Sequence, residues 1–306
     1  MESLVAIVGP TGIGKSRLAL HLSSIFSGEI ISADSRQVYR YLDIGTAKPT
    51  SEELSRIPHH LIDIVNPDEE FSLAQYQALA FKAIGDIQQR HRLPFLVGGS
   101  GLYVKAVLEN WQIPKVSPDS QFRYNIEKIA SKGGADELYR ELDKIDPEAA
   151  RKIDKRNVRR VIRALEVHAG TGKPFSQQGK KKPPGFRSFV IGLTTDRATL
   201  YNIVDRRVDD MFARGLVPEV ENLLKMGYDF SLPAMSGIGY RQVGQYLKGE
   251  LSLDEATRKM KIETHRFIRH QYAWFRLKDE AISWFDVSNQ VDVEIEKAVR
   301  QFLESK

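Results

Sequence analysis

The feature that most constrains the fold is a glycine-rich loop that follows a short apolar run at the start of the chain. Leu4–Val8 are apolar, and residues 9–16 read GPTGIGKS, which matches the phosphate-binding pattern G-x-x-x-x-G-K-[ST]. The apolar run predicts a buried strand, and the residues after the loop predict a helix over 14–25. The loop predicts that a di- or triphosphate binds, but it does not say which one.

Each type of residue in this loop has a chemical role. Glycines let successive backbone N–H groups point into one concavity that holds phosphate oxygens. Lys15 adds a positive charge, and the Ser16 hydroxyl is a ligand suited to Mg²⁺, the predicted cofactor. The predicted diphosphate or nucleotide contacts are Gly9, Pro10, Thr11, Gly12, Ile13, Gly14, Lys15 and Ser16.

Short apolar runs alternate with helical patterns along much of the chain, which predicts an α/β fold with a mainly parallel sheet. Further strands are predicted at 29–33, 60–65, 93–97, 189–194 and 283–287. Helices are predicted at 72–90, 119–132, 135–142, 158–169, 198–214, 218–226, 240–248 and 254–278. The pattern changes over 113–187, so we expect a core of 1–112 and 188–306 with a helical insertion at 113–187. Residues 179–186 have the composition of a linker or mobile loop.

Positive charge is concentrated in two segments, although the formal net charge is only +5. Residues 151–187 hold 12 Lys/Arg against 2 Asp/Glu, and 258–278 hold 7 against 1. Such segments suit a polyanion such as nucleic acid, or are simply solvated surface. The absence of Cys excludes disulfides, thiolate metal sites and a Cys nucleophile. No apolar run reaches the ~20 residues of a membrane helix, and no signal peptide is evident, so we expect a cytoplasmic enzyme.

Three loops follow predicted strands and should meet at one edge of the sheet: 9–16, 34–39 (DSRQVY) and 98–103 (GGSGLY). Asp34 could bind Mg²⁺ through water, accept a proton from a nucleophile, or cap a helix. Arg36 and Gln37 carry donors suited to a phosphate and to a base edge. Ser100 lies in a glycine loop that either approaches a ligand or forms a plain tight turn.

Several arginines are candidates for neutralising phosphate. Arg206 and Arg207 lie in one predicted helix. Arg159 and Arg163 fall on one face of another, where like charges repel unless an anion lies between them. A solvated helix face is the alternative for each of them.

The segments GPTGIGKS (9–16), DSRQVY (34–39), IGTAKPT (44–50), HHLID (59–63), GGSGLY (98–103), RRVIRALEV (159–167), GIGYRQ (237–242) and RHQYAWFR (269–276) span nearly the whole chain. In this order they resemble the tRNA dimethylallyltransferase (tRNA isopentenyltransferase) family of the bacterial type. The resemblance implies a P-loop NTPase-like core with an inserted helical domain. It also implies transfer of a dimethylallyl group from dimethylallyl diphosphate to N6 of the adenosine 3′ to the anticodon, in tRNAs that read codons beginning with U.

The same resemblance implies roles for individual residues. Asp34 would be the general base, and Arg207 a catalytic residue that joins Lys15, Ser16 and Arg163 around diphosphate and Mg²⁺. The implied tRNA contacts are Asp34, Ser35, Arg36, Gln37, Ser100, Arg123, Arg159 and Arg160. The implied partners are the anticodon stem-loop of tRNA and dimethylallyl diphosphate, with the enzyme a monomer that does not bind membranes.

One segment departs from the family pattern. Residues 269–271 read Arg-His-Gln, where many bacterial members have Lys-Arg-Gln, so a phosphate contact by His270 would be weaker or pH-dependent. Three alternatives stay open: a small-molecule or nucleotide kinase, a prenyltransferase acting on free AMP, and a non-catalytic RNA-binding protein. The first two would use the same loop, whereas the third would only retain it.

Overall fold

We describe a computed structural model of the chain over residues 2–114, 116, 119–178 and 181–305. The chain divides into two compact units, Met1–Leu108 with Pro184–Lys306, and Glu109–Pro183. The predicted domain boundaries lie four residues further along the chain, at 112 and 187. The predicted linker at 179–186 begins with Gly179 and Lys180, which lie outside the described residues.

The larger unit is built on a parallel sheet, as the sequence predicts. Its strands are β1 (Ser3–Val8), β2 (Gly28–Ser32), β3 (His59–His60), β4 (Leu93–Val97), β5 (Arg187–Thr194) and β6 (Ser283–Asp286). They lie in the order β3-β2-β4-β1-β5-β6, and every described strand pair is parallel. Because Ile7 and Ser32 both pair with Val97, strands β1, β2 and β4 end at the same edge.

Helices cover both faces of this sheet because its central strands are apolar on both sides. Leu4, Ala6 and Val8 belong to one hydrophobic cluster, whereas Val5 and Ile7 belong to the other. Burial on both faces explains why these strands read as continuous apolar runs. Along the whole chain, with α5 to α8 belonging to the smaller unit, the helices are α1 (Lys15–Ile25), α2 (Ser51–Arg56), α3 (Leu73–Gln89), α4 (Gly101–Leu108), α5 (Ser120–Ile129), α6 (Ala135–Ile145), α7 (Pro147–Lys152), α8 (Val158–Thr171), α9 (Arg197–Ala213), α10 (Leu216–Lys225), α11 (Tyr240–Leu247), α12 (Leu253–Trp274) and α13 (Asp292–Glu304).

The smaller unit contains α5 to α8 and has its own apolar core. Leu138 and Leu142 of α6 pack with Ile153 and with Val161 and Leu165 of α8. A π-helical turn, Ala130–Gly134, joins α5 to α6. This unit is helical, as the sequence predicts, and within the described residues no helix of the protein combines the length and apolarity needed to cross a membrane.

The structure corrects several predicted elements. The predicted strand at 60–65 is wrong beyond His60, because Leu61 and Asp63 adopt positive φ values of 63° and 55°, which a strand excludes. Helix α12 ends at Trp274 rather than at 278, because the next residue, the buried Phe275, leaves helical geometry. Helices α2, α4, α7 and α13 are additional to the predicted ones.

Candidate active site

The glycine-rich loop joins β1 to α1 and depends on glycine at two tight positions. Gly9 (φ 141°) and Gly12 (φ 82°) adopt positive φ. A Cβ at Gly9 would lie 2.6 Å from the Leu193 carbonyl oxygen, and one at Gly12 would lie 2.5 Å from Val204 Cγ1. Helix α1 has no side-chain N-cap and no acidic residue in its first turn. Its first N–H groups are therefore suited to an anion.

Lys15 is folded back onto this loop. Its Nζ donates hydrogen bonds to the carbonyl oxygens of Gly9 (3.0 Å) and Pro10 (2.7 Å). The pKa of Lys15 is lowered to about 7, mainly by burial and also by the nearby charge of Arg207, while the charge of Asp34 opposes the shift. An anion bound beside Lys15 would favour its charged form and raise this pKa.

We therefore expect Lys15 to take up a proton when a diphosphate such as pyrophosphate binds. At pH 8 most Lys15 is neutral in the free protein, so binding should take up close to one proton per site, about 0.9 for a pKa near 7. Titration calorimetry in buffers of different ionisation enthalpy, without tRNA, measures this uptake. Lys15→Arg stays charged and should abolish most of it. Equal uptake by the Arg variant would contradict the assignment to Lys15.

Asp34 follows β2 and faces the same space. Its Oδ1 accepts hydrogen bonds from the backbone N–H groups of Arg36 (2.8 Å) and Gln37 (3.4 Å). The carboxylate thus caps a turn. It does not cap a helix, which was one of the three alternatives for this residue. Among the described residues its hydrogen bonds all go to Oδ1, which leaves Oδ2 available to a ligand.

The residues around Asp34 are held by the protein itself. The Ser100 hydroxyl accepts a hydrogen bond from the Ser35 backbone N–H at 3.1 Å. Arg36 donates to the Pro233 carbonyl oxygen (2.6 Å) and to the Ser236 hydroxyl (3.2 Å). The Gln37 amide is bonded to Ser32 and to the carbonyl oxygens of the 46–47 segment. Gln37 therefore has its donors and acceptor engaged within the protein.

A cavity of about 570 Å³ opens beside these loops. Thr11, Asp34 and Arg207 supply polar groups to its wall. Apolar side chains line much of the remainder: Val204, Val208, Met211, Ile238, Met260 and Phe267. Four of the lining residues (204, 207, 208 and 211) share one face of α9, because they recur at helical spacing.

Arg207 is one of the positive groups of this cavity, which Arg36, Arg241 and Arg266 also line, whereas its neighbour Arg206 is exposed. Burial lowers the pKa of Arg207, and the charge of Asp34 opposes that shift. No hydrogen bond joins its guanidinium to another residue in the part of the chain that the structure describes. The structure thus separates two adjacent arginines that the sequence offered as equal candidates.

Two of the four predicted arginines of the smaller unit, Arg123 and Arg163, share a protein partner. Glu166 is 2% exposed and accepts hydrogen bonds from Arg123 (2.8 and 3.0 Å) and from Arg163 (2.5 Å). Burial alone would raise the pKa of Glu166, but these hydrogen bonds outweigh it and hold the pKa below its usual value. Glu166 thus supplies a counter-ion to Arg163 but not to Arg159, and the diphosphate contact by Arg163 stays a prediction.

Arg159 and Arg160 differ from this pair because both are exposed on α8. Neither forms an ion pair with another residue that the structure describes. They remain candidates for binding an external polyanion.

Sequence reasoning missed Gln271 as a site residue. It lies on α12, is 3% exposed, and forms hydrogen bonds with both the phosphate loop and the 98–103 loop. The available signal was a polar residue at the helical spacing of the apolar Phe267 and Ile268 within a predicted helix. Its partners are far away in sequence and could not be read from it.

A cavity that opens beside a phosphate loop and has an apolar wall is suited to a phosphorylated substrate with a hydrophobic part. A family model described as IPP transferase matches residues 37–278. The tRNA dimethylallyltransferase of Roseiflexus sp. (strain RS-1) is 50% identical over 305 residues and is covered completely, as is this chain. That of Dehalococcoides mccartyi is 51% identical over 99% of this chain and 93% of its own. The chain belongs to the IPP transferase family, which confirms the resemblance read from the sequence.

Solved structures agree with this assignment. The crystal structure of the full-length tRNA isopentenylpyrophosphate transferase from Bacillus halodurans has a TM-score of 0.74 at 41% identity, covering 99% of this chain and 97% of that one. A eukaryotic dimethylallyltransferase acting on tRNA has a TM-score of 0.84 at 27% identity, covering 100% of this chain and 80% of its own. The predicted P-loop NTPase-like core with a parallel sheet is confirmed.

Proposed function

We propose that the protein transfers the dimethylallyl group of dimethylallyl diphosphate to N6 of the adenosine 3′ to the anticodon. The proposed acceptors are tRNAs that read codons beginning with U, and the products are N6-(dimethylallyl)adenosine and diphosphate. The observation that carries this proposal is the cavity beside the phosphate loop, which has Asp34 and Arg207 at its polar part and aliphatic side chains beyond them.

The two parts of the donor match the two parts of this cavity. The phosphate loop and Lys15 would bind the diphosphate, and the wall formed by Val204, Val208 and Met211 would hold the five-carbon group. Burying five apolar carbons contributes about 3–4 kcal/mol, at roughly 0.8 kcal/mol per carbon. The same wall keeps water from the allylic carbon, so that the cationic character that develops there reaches the adenine amine instead.

Charge neutralisation and proton removal are the main chemical tasks. The C1–O bond breaks and leaves its electron pair on diphosphate, while a bond forms between N6 and C1. Lys15, Arg207 and loop N–H groups stabilise the leaving diphosphate. The N6 amine is a poor nucleophile because its lone pair is delocalised into the ring, so Asp34 accepts the N6 proton through its available Oδ2.

The donor set is compatible with Mg²⁺. Ser16 offers an exposed hydroxyl in the loop. The described residues contain no cluster of three or more His, Cys, Asp or Glu that would bind a metal alone. Mg²⁺ bound mainly by substrate phosphates needs only one or two protein ligands, so Ser16 suffices and the Asp34 carboxylate stays free to accept a proton. When bound, it would neutralise charge on the diphosphate.

We further propose that Ser35, Arg36, Gln37 and Ser100 surround the acceptor adenosine, which is unstacked from its loop to reach Asp34. Since the engaged donors of Arg36 and Gln37 hold the Asp34 turn, these two residues act mainly by shaping the adenosine site. The helical insertion with Arg159 and Arg160 would bind the anticodon stem-loop. All groups invoked come from one chain, which supports a monomer, and the tRNA substrate supports a cytoplasmic location.

Labelled dimethylallyl diphosphate, Mg²⁺ and three acceptors test the activity. The acceptors are unmodified tRNA with adenosine 3′ to the anticodon, the same tRNA with guanosine there, and free AMP. Label should enter only the adenosine tRNA. Label in AMP would make the protein a free-nucleotide prenyltransferase, and no label with ATP turnover on a small acceptor would make it a kinase.

The proposed tRNA surface has a separate test. Arg159→Gln with Arg160→Gln should weaken tRNA binding about 5- to 30-fold and reduce the slope of log K against log salt by about 1.5, as expected for two lost phosphate contacts. Filter binding at several salt concentrations measures both. Lys297→Gln with Arg300→Gln removes two charges from α13 and should leave the slope unchanged. An equal slope in both double variants would exclude α8 from the interface.

A further inference from the structure

Gln271 is an unusual side chain for its position. It lies on α12 between the phosphate loop (9–16) and the 98–103 loop, where it is almost completely buried. Its Oε1 accepts a hydrogen bond from the Thr11 backbone N–H at 2.8 Å, and its Nε2 donates to the Gly99 carbonyl oxygen at 3.1 Å. Since the Thr11 backbone N–H can only donate a hydrogen bond and the Gly99 carbonyl can only accept one, the Gln271 side-chain amide has a single orientation.

The two partners belong to different parts of the proposed site. Thr11 is in the phosphate loop, and its N–H is directed to Gln271, which leaves later loop amides for phosphate. Gly99 precedes Ser100, whose hydroxyl accepts the Ser35 N–H in the segment that carries Asp34. One amide therefore connects the diphosphate side of the site with the acceptor side.

Gly99 provides an independent observation. A Cβ built there would overlap Gln271 Nε2, so an alanine at this position would displace the amide or the loop. Gly99 is absent from the residues with positive φ, so its backbone does not need glycine for conformational reasons. Position 99 has no room for a side chain because the Gln271 amide occupies that space.

We propose that Gln271 is a positioning residue that fixes the phosphate loop relative to the Ser100 loop. It thereby sets the distance between the allylic carbon and the acceptor amine. The role of Gln271 in the reaction rests on the proposed function, whereas its two hydrogen bonds do not depend on that function. A misplacement of reacting groups by about 1 Å costs on the order of 10²-fold in rate, so two hydrogen bonds at this point have a large effect.

Gln271→Glu is the sharpest variant because it changes one NH₂ group to oxygen at constant shape. The ionised Glu would still accept the Thr11 N–H but would oppose the Gly99 carbonyl oxygen. The protonated Glu would donate to that carbonyl and restore both bonds. We expect kcat to fall about 10²-fold at pH 8, with the Kd for tRNA within about twofold. The ratio of variant to wild-type kcat should rise as pH falls, by up to about tenfold per pH unit.

The ratio isolates position 271 because Asp34, Lys15, Arg207 and His270 are common to both proteins. Gln301→Glu, an identical change on the exposed surface of α13, should give a ratio near one at every pH. Binding of Mg²⁺-pyrophosphate, followed over the same pH range, should show the same trend and needs no transfer activity. Transfer by the wild type tests the proposed function, whereas the variant ratio tests the role of Gln271.

A double-mutant cycle covers the case in which Gln271→Glu fails to fold. Gly99→Ala should lower kcat at least tenfold by its clash with the amide, whereas Gly99→Ala combined with Gln271→Ala should be no slower than Gln271→Ala alone. Effects of the two substitutions that simply multiply, or a Gln271→Glu ratio that is independent of pH in a folded protein, would overturn the proposal.

Discussion

Asp34→Asn is expected to lower kcat by about 10²–10⁴-fold and to leave the Kd for unmodified tRNA within about twofold, as for loss of a general base. The Asn Oδ1 can still accept the hydrogen bonds that Asp34 receives from the backbone of Arg36 and Gln37, so the turn is kept. What the amide cannot do is accept a proton from N6. Single-turnover transfer of labelled donor measures the rate, and filter binding measures the tRNA affinity.

Two further variants define the meaning of that result. Asp34→Ala removes the turn's acceptor as well as the base, so any additional loss beyond the Asn variant measures the structural role of Oδ1. Asp196→Asn is the matched control, because Asp196 also accepts a backbone N–H, from Thr199 at 2.9 Å, but lies outside the cavity lining. It should keep the wild-type rate. Wild-type turnover by Asp34→Asn would assign proton removal to another group.

The strands were predictable where both faces of the sheet are covered. Leu93–Val97 was predicted with its observed bounds, and the run at Leu4–Val8 differs by one residue from β1. Continuous apolar sequence identifies such strands because burial on both sides removes the need for alternation. The prediction of a strand at 60–65 was wrong over most of its length, because only two residues of the edge strand β3 pair before the chain turns through positive φ at Leu61.

Helix α13 has a periodic apolar pattern in its sequence, although the helix is not among the predicted ones. Ile295, Val299 and Phe302 recur at helical spacing, and the first two are completely buried against the sheet. The helix follows the last predicted strand, where an α/β pattern requires a cover for the sheet's face. Ser288 and Asn289 mark a turn between that strand and the helix, so the sequence also offers a boundary between them.

The loops of the site were predictable, but their side-chain partners were not. Parallel strands bring their carboxyl ends together, so Asp34 and Ser100 could be placed beside the phosphate loop from sequence order alone. The ion pair of Arg163 with Glu166 lies within one helix at a spacing of three, whereas Arg123 reaches Glu166 from another helix. Gln271 lies 260 residues from Thr11, and no local pattern encodes such a contact.

Arg207→Gln is expected to lower kcat by about 10²–10³-fold, the loss typical of removing one group that stabilises developing negative charge. The guanidinium lines the cavity with Asp34, and burial lowers its pKa, so it is a charge held away from water. Such a charge stabilises departing diphosphate far more than an exposed one does. Arg206→Gln, next to it on the exposed side of α9, is the matched control and should change kcat less than about threefold.

The effect of Arg207→Gln on stability should have the opposite sign to its effect on activity. Folding buries the Arg207 charge without a hydrogen-bonded partner among the described residues, so a neutral side chain at 207 should leave the melting temperature unchanged or raise it. Arg207→Ala leaves room in the cavity, and added guanidinium should restore part of its rate. A large loss of stability together with no rescue would show that Arg207 supports the fold, whereas a stable, inactive and rescuable variant identifies a charge placed for the reaction.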